Sequence, residues 1–139
     1  MISRVLVPMD DSEMSERALR HALDVYADAD IVVLHVVGEP SQMMGQATAL
    51  ALADDVESAA RDHARAITDR AEAIAAEYDR DIDTAIAVGH PVRQILDRAE
   101  DVDAIVMGTH GGTLAERLFV GDIAKTVFRR SPVPVTAVR

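Results

Sequence analysis

A chain of 139 residues, 49% hydrophobic but only 3% aromatic, has the size of one domain spanning 1–139, with a core built from Val, Ile, Leu, Ala and Met. The lack of cysteine excludes a disulfide framework, a thiolate metal site and a cysteine nucleophile together. A net charge of -10 carried by scattered acids argues against nucleic acid as a partner, and no apolar run or secretory pattern suggests a membrane, so a cytoplasmic protein is expected.

The first element in chain order is the β-branched run Val5-Leu6-Val7, ended by Pro8. Ser12 then offers an N-cap, and Ala18, Leu19, Ala22, Leu23 and Tyr26 mark one face of a helix. Ile31 to Val37 is apolar except for His35, as expected of a central strand buried on both sides, and Gly38-Glu39-Pro40 stops it. From Ser41 to about Ala53, a stretch with Met43 and Met44, no period is visible. It reads as a mobile connection placed to close over a site, or else as an early start to the next helix. That helix is marked by Val56, Ala60, His63, Ala64, Ile67, Ala71, Ile74, Ala75 and Tyr78.

Asp81 to Val88 alternates larger side chains with acids, the pattern of a strand with one face in water at a sheet edge. Pro91 opens a short helix with Val92, Ile95, Leu96 and Ala99 inward, and Ala104-Ile105-Val106-Met107 is another two-sided strand running into Gly108. A last helix from Ile123 to Arg130 is expected to bury Ala124, Val127 and Phe128 and expose Lys125, Arg129 and Arg130. Val133 to Val138 forms the final strand, at an edge because Pro134 lacks a donor. Strand and helix alternate throughout, which predicts an α/β fold: a parallel sheet with helices on both faces.

Gly108, Gly111, Gly112 and Gly121 are more than half of the 7 glycines, and they fall between a buried strand and a helix. They serve equally as turn residues or as a cradle for phosphate oxygens, because open α/β sheets bind ligands beyond the carboxyl ends of their strands and helix N-termini favour anions. Neither a Walker lysine loop nor a GxGxxG fingerprint is present. His35 reads as a satisfied core residue, and His21, His63 and His90 lack metal-site spacing. No catalytic residue and no metal ligand is assigned.

The spacing Gly108-x2-Gly111-x9-Gly121 resembles the nucleotide-binding branch of the universal stress protein family. The same family is suggested by Val5-Leu-Val-Pro-Met-Asp10 with Ser12, by Val88-Gly-His-Pro91 before Ile95-Leu96, and by Pro132-Val-Pro-Val-Thr-Ala-Val138. Four pieces in order cover almost the whole chain. The arginine-rich, aspartate-rich charge usage, with Lys125 the only lysine, also resembles proteins of salt-accumulating halophilic archaea.

The resemblance implies an open five-stranded parallel sheet in the order 3-2-1-4-5, of the adenine-nucleotide α-hydrolase-like kind. ATP or AMP, with Mg2+ as a charge-bridging ion, is then expected over strands 1 and 4. The implied site comprises Pro8, Met9 and Asp10 at the adenosine end, with Val37 near the adenine and Gly89 near the ribose. Gly108, Gly111 and Gly121 match the residues whose backbone wraps the ribose and phosphates, and Met107, Thr109, His110, Asp122 and Ile123 beside them are further implied cofactor-binding residues. Asp122 departs from the family pattern, which has Ser or Thr there. Its carboxylate is a good N-cap but repels a phosphate 4 Å away by about 1 kcal/mol in water and about 4 at intermediate dielectric.

The function expected is therefore nucleotide-dependent regulation in a stress response, by a homodimer paired through Val133 to Val138. The alternatives are a slow metal-dependent ATP hydrolase, or a ligand-free dimeric interaction protein whose site Asp122 has closed.

Overall fold

The computed structural model describes residues 1–38, 46–109 and 123–139, with residues 46–56 described by backbone alone. Five parallel strands form one sheet in the order β3-β2-β1-β4-β5. In chain order they are β1 (Arg4–Pro8), β2 (Asp30–Val37), β3 (Asp83–Val88), β4 (Ala104–Gly108) and β5 (Val135–Val138). The helices are α1 (Glu13–Val25), α2 (Gln46–Glu77), α3 (Pro91–Ala99) and α4 (residues 123–130). In the sheet centre Val5 stands between Ile31 of β2 and Ala104 of β4.

Alternation along the strands divides the core in two. Val5, Val7, Ile31 and Val33 pack against Leu19 of α1 and Ile67 and Ile74 of α2. Leu6, Val32, Leu34, Ile105 and Met107 pack on the other face, against Val92 and Ile95 of α3 and Val127 of α4. Central strands must be apolar on both sides to satisfy this arrangement, and all five residues of β4 are buried. The expected fold class and strand order are both observed.

Local signals explain most element boundaries. The Ser12 side chain accepts the Ser15 N–H at 3.2 Å, capping α1. Its other end is held from afar: Arg80 donates to the carbonyls of Leu23 at 3.0 Å, Tyr26 at 2.9 Å and Ala29, supplying positive charge where a helix carboxyl end needs it. Asp103 ties the entry of β1 to that of β4, accepting the N–H groups of Ser3 at 2.8 Å and Arg4 at 3.0 Å. Those two bonds lower the Asp103 carboxyl below its ordinary range.

Three expectations require correction, and one alternative is decided. Helix α2 begins at Gln46, so of the two readings of the stretch from Ser41 the early helix start is the one observed from residue 46 onward; Ala47 to Ala53 is a run of Ala, Leu and Thr without Gly or Pro, and strong helix formers need no visible period. The remainder of that stretch, 41–45, lies outside the described residues. Phe128 is 65% exposed rather than buried. At about 100° per residue it stands roughly a quarter turn from the stripe Ile123, Ala124 and Val127 that meets the sheet. In β3 it is Ala85 and Ala87 that pack inward, whereas Ile86 and Val88 are 49% and 65% exposed. Pairing of β5 starts at Val135, with Pro134 contributing only a carbonyl, to the Ile105 N–H at 2.9 Å.

Candidate functional site

The site is assembled where the strand order reverses, at the carboxyl ends of the neighbouring strands β1 and β4, the place where open α/β sheets form a crevice. Beyond β1 the chain continues as an ordered turn. Met9 donates its N–H to the Leu34 carbonyl at 2.8 Å, and the Met9 carbonyl lies 2.9 Å from Nδ1 of His35. The Asp10 N–H donates to Oγ of Ser15 at 3.3 Å, and that hydroxyl lies 3.0 Å from the Asp10 carbonyl and 2.9 Å from the Ser12 carbonyl. Asp10 Oδ1 accepts the Ser12 N–H at 2.8 Å. One carboxylate oxygen is thereby committed to the turn, and among the described residues Oδ2 receives no hydrogen bond.

At the end of β4, Gly108 meets the first turn of α1. A Cβ there would stand 2.8 Å from the backbone carbon and oxygen of Met14, so the glycine is required by close helix packing. Thr109 turns aside toward β5, donating its N–H at 3.0 Å and its hydroxyl at 3.1 Å to the Val138 carbonyl. Gly89 has φ 139°, a value that L side chains rarely adopt, and it donates its N–H to the Val37 carbonyl at 2.9 Å. Pro91 then starts α3, whose N-cap His90 makes no side-chain capping bond.

These parts enclose a cleft of about 180 Å³. Of the residues expected at the site, Pro8, Met9, Asp10, Met107, Gly108 and Ile123 line it. Val37, Gly89 and Thr109 do not; Val36 takes the wall position because successive strand side chains face opposite ways. His110, Gly111, Gly121 and Asp122 lie outside the described residues. Ser12, Ser15, Leu34, His35, Pro91 and Ile95 complete the lining without having been expected there. The signal that could have found the serines is their spacing: Ser12 and Ser15 stand two and five residues after Asp10, the separations of an Asx turn and a helix first turn.

Chemically, the cleft has an apolar wall of Leu34, Val36, Ile95 and Met107 and a polar end of Asp10, Ser12 and Ser15. That pairing suits a flat base carrying a hydrogen-bond donor. Among the described residues no group of three or more His, Asp or Glu side chains is placed to hold a metal ion. The groups with displaced titration lie elsewhere: Glu77 is held below its ordinary range by its hydrogen bond to Arg20, and Arg70 is raised by its bond to Glu16. Both pairs join α1 to α2.

Fold and cleft together define an open, doubly wound α/β domain with its crevice at the switch point of the sheet. The sequence model of the universal stress protein family matches residues 1–139, and the chain belongs to that family. It is similar to universal stress protein MJ0577 of Methanocaldococcus jannaschii, with 28% identity over 100% of this chain and 96% of the relative. Among solved structures it resembles the universal stress protein UspA from Lactobacillus plantarum, with a TM-score of 0.81 and 25% identity, covering 99% of this chain and 98% of that one. A universal stress protein solved in complex with cAMP superposes with a TM-score of 0.72 and 28% identity, covering 99% and 97% of the two chains. Among the described residues no helix is long and apolar enough to cross a membrane.

Proposed function

We propose that this chain is a regulatory module that binds an adenine nucleotide, ATP or AMP, in the cleft between the ends of β1 and β4. The observation that carries the reading is the convergence of Pro8-Met9-Asp10 and Met107-Gly108 on one crevice, with an apolar wall beside a carboxylate. The similar protein solved with cAMP adds support. In this reading Asp10 accepts from the adenine amine, and His110, Gly111, Gly121, Asp122 and Ile123 surround the ribose and phosphates, with Val37, Gly89 and Thr109 in supporting positions outside the lining. Asp122 would be the residue to hold a Mg2+ ion, whose charge would offset the repulsion between its carboxylate and a phosphate. Bound nucleotide then alters the surface offered to partners, and no chemistry on the nucleotide is needed.

The proposal includes a single domain over 1–139, supported by two cores that share one sheet, and a homodimer formed through β5, a sheet edge whose backbone needs cover. It places the protein in the cytoplasm of a salt-accumulating cell, on the strength of its acidic, arginine-rich charge. Asp122 favours a second reading, a ligand-free dimeric interaction protein.

Purification at high salt, identification of any small molecule retained, and titration with Mg-ATP and AMP separate these readings. Retained nucleotide or saturable heat supports binding. If nothing is retained and neither ligand gives heat or a melting shift at high or low salt, the nucleotide reading is wrong. If ATP binds and is converted to ADP on long incubation, the protein is instead a slow metal-dependent ATP hydrolase.

A further inference from the structure

The Met9-Asp10 turn is gripped by two residues of the cleft lining, His35 and Ser15, to which the nucleotide reading above gives no role. His35 is 7% exposed and Ser15 5% exposed, so both are buried polar side chains whose hydrogen bonds are needed inside the fold. His35 shares its sheet face with Ile31 and Val33, on the side of α2, opposite the Leu34 and Val36 wall of the cleft. From behind the sheet its Nδ1 reaches the Met9 carbonyl at 2.9 Å. Since a carbonyl only accepts, Nδ1 carries the proton. The His63 ring stands edge-on to it, centroids 5.9 Å apart, which limits rotation of the imidazole.

Ser15 holds the next peptide from the helix side, accepting from the Asp10 N–H and donating back to a carbonyl of the turn. Met9 is tied in addition to Leu34, and the Ser12 N–H takes Oδ1 of Asp10. Backbone and carboxylate are both anchored, and Oδ2 has one orientation relative to the cleft.

We propose that His35 and Ser15 are positioning residues for Asp10 and set a preference for adenine over guanine bases, an inference that rests on the nucleotide reading above. An ionised carboxylate accepts from the exocyclic amine of adenine and repels the O6 acceptor of guanine, but it discriminates only when held in place. His35 and Ser15 act through Asp10, because Nδ1 of the one and the hydroxyl of the other are committed to the backbone of the turn. A purely structural role for them weakens both ligands equally; a positioning role changes their ratio.

The test is titration of the full chain with Mg-ATP and Mg-GTP, as wild type and as His35→Leu, His35→Asn and Ser15→Ala, each checked for folding by circular dichroism. Asn carries a donor at the δ position, where His35 has Nδ1. The ATP-to-GTP affinity ratio is expected to fall about five- to tenfold in His35→Leu and Ser15→Ala, and to recover to within about twofold of wild type in His35→Asn. Ser15→Ala carries the test by itself if the Leu variant does not fold. Wild-type binding of neither nucleotide overturns the site and the positioning together. Wild-type binding of both ligands equally, or a ratio unchanged in the variants, overturns the positioning alone.

Discussion

Replacing Gly108 by Ala places a methyl group 2.8 Å from the Met14 backbone carbon and oxygen and 3.0 Å from its Cβ. Restoring even a tight 3.4 Å separation requires roughly 0.6 Å of withdrawal. The obstacle is helix backbone, so no side-chain rotation relieves it. Helix α1 cannot retreat without opening gaps around Ala18, Leu19, Ala22 and Leu23, none more than 2% exposed. Overpacking of this kind costs about 1–3 kcal/mol, which for a domain of this length lowers the melting temperature by about 4–12 °C. Thermal melts and urea titrations followed by circular dichroism measure it, with Gly38→Ala as the control, where an added Cβ meets nothing within 4 Å and the change stays within about 0.5 kcal/mol. A Gly108→Ala protein melting within about 2 °C of wild type would falsify the packing account and return the glycine to a purely ligand-contacting role. Since Ser12 and Ser15 move with α1, the same substitution is expected to weaken nucleotide binding.

Three further outcomes are expected. The Asp103 carboxyl is lowered from 3.8 in the folded chain, so its contribution is complete above the unfolded value and disappears as pH falls through the folded one. The melting-temperature advantage of wild type over Asp103→Asn should therefore be constant near pH 6 and shrink below about pH 4; an advantage independent of pH down to acid unfolding contradicts the assignment. Arg80→Ala strips the donors from the Leu23, Tyr26 and Ala29 carbonyls and should cost about 1.5–3 kcal/mol in urea unfolding, where a loss below half a kcal/mol would show that water replaces the guanidinium. Ile74→Ala, at a fully buried position of α2, should cost about 2–5 kcal/mol while nucleotide affinity measured by calorimetry stays at the wild-type value; a parallel loss of affinity would show that the α2 face and the cleft are coupled.

Strand runs, the Ser12 cap, the Pro91 helix start and the two-sided apolar character of β2 and β4 could be seen in the amino-acid order itself. Each arises from interactions among residues a few positions apart, or from burial on both faces of a central strand. The order of the strands is not local, and it was anticipated through the resemblance of four spaced motifs to a known family. Of the residues that line the cleft, Pro8, Met9, Asp10, Met107 and Gly108 were anticipated through the same resemblance, and they lie at strand ends, where crevices form.

What only the tertiary structure decided is which groups meet across long separations. Arg80 reaches Leu23 over 57 positions, and Asp103 reaches Ser3 over 100. The sequence marks Gly108 as unusual, but only the approach of Met14 supplies the reason. Phe128 and Ala124 share a plausible stripe on paper, and the roll of α4 against the sheet buries one while exposing the other. His35 likewise reads as core from its neighbours, and its grip on the carbonyl before Asp10 exists because parallel pairing sets the end of β1 beside β2. Composition and periodicity determine which faces seek burial. The packing of those faces determines which polar atoms are brought within hydrogen-bonding distance, and that assigns the site its chemistry.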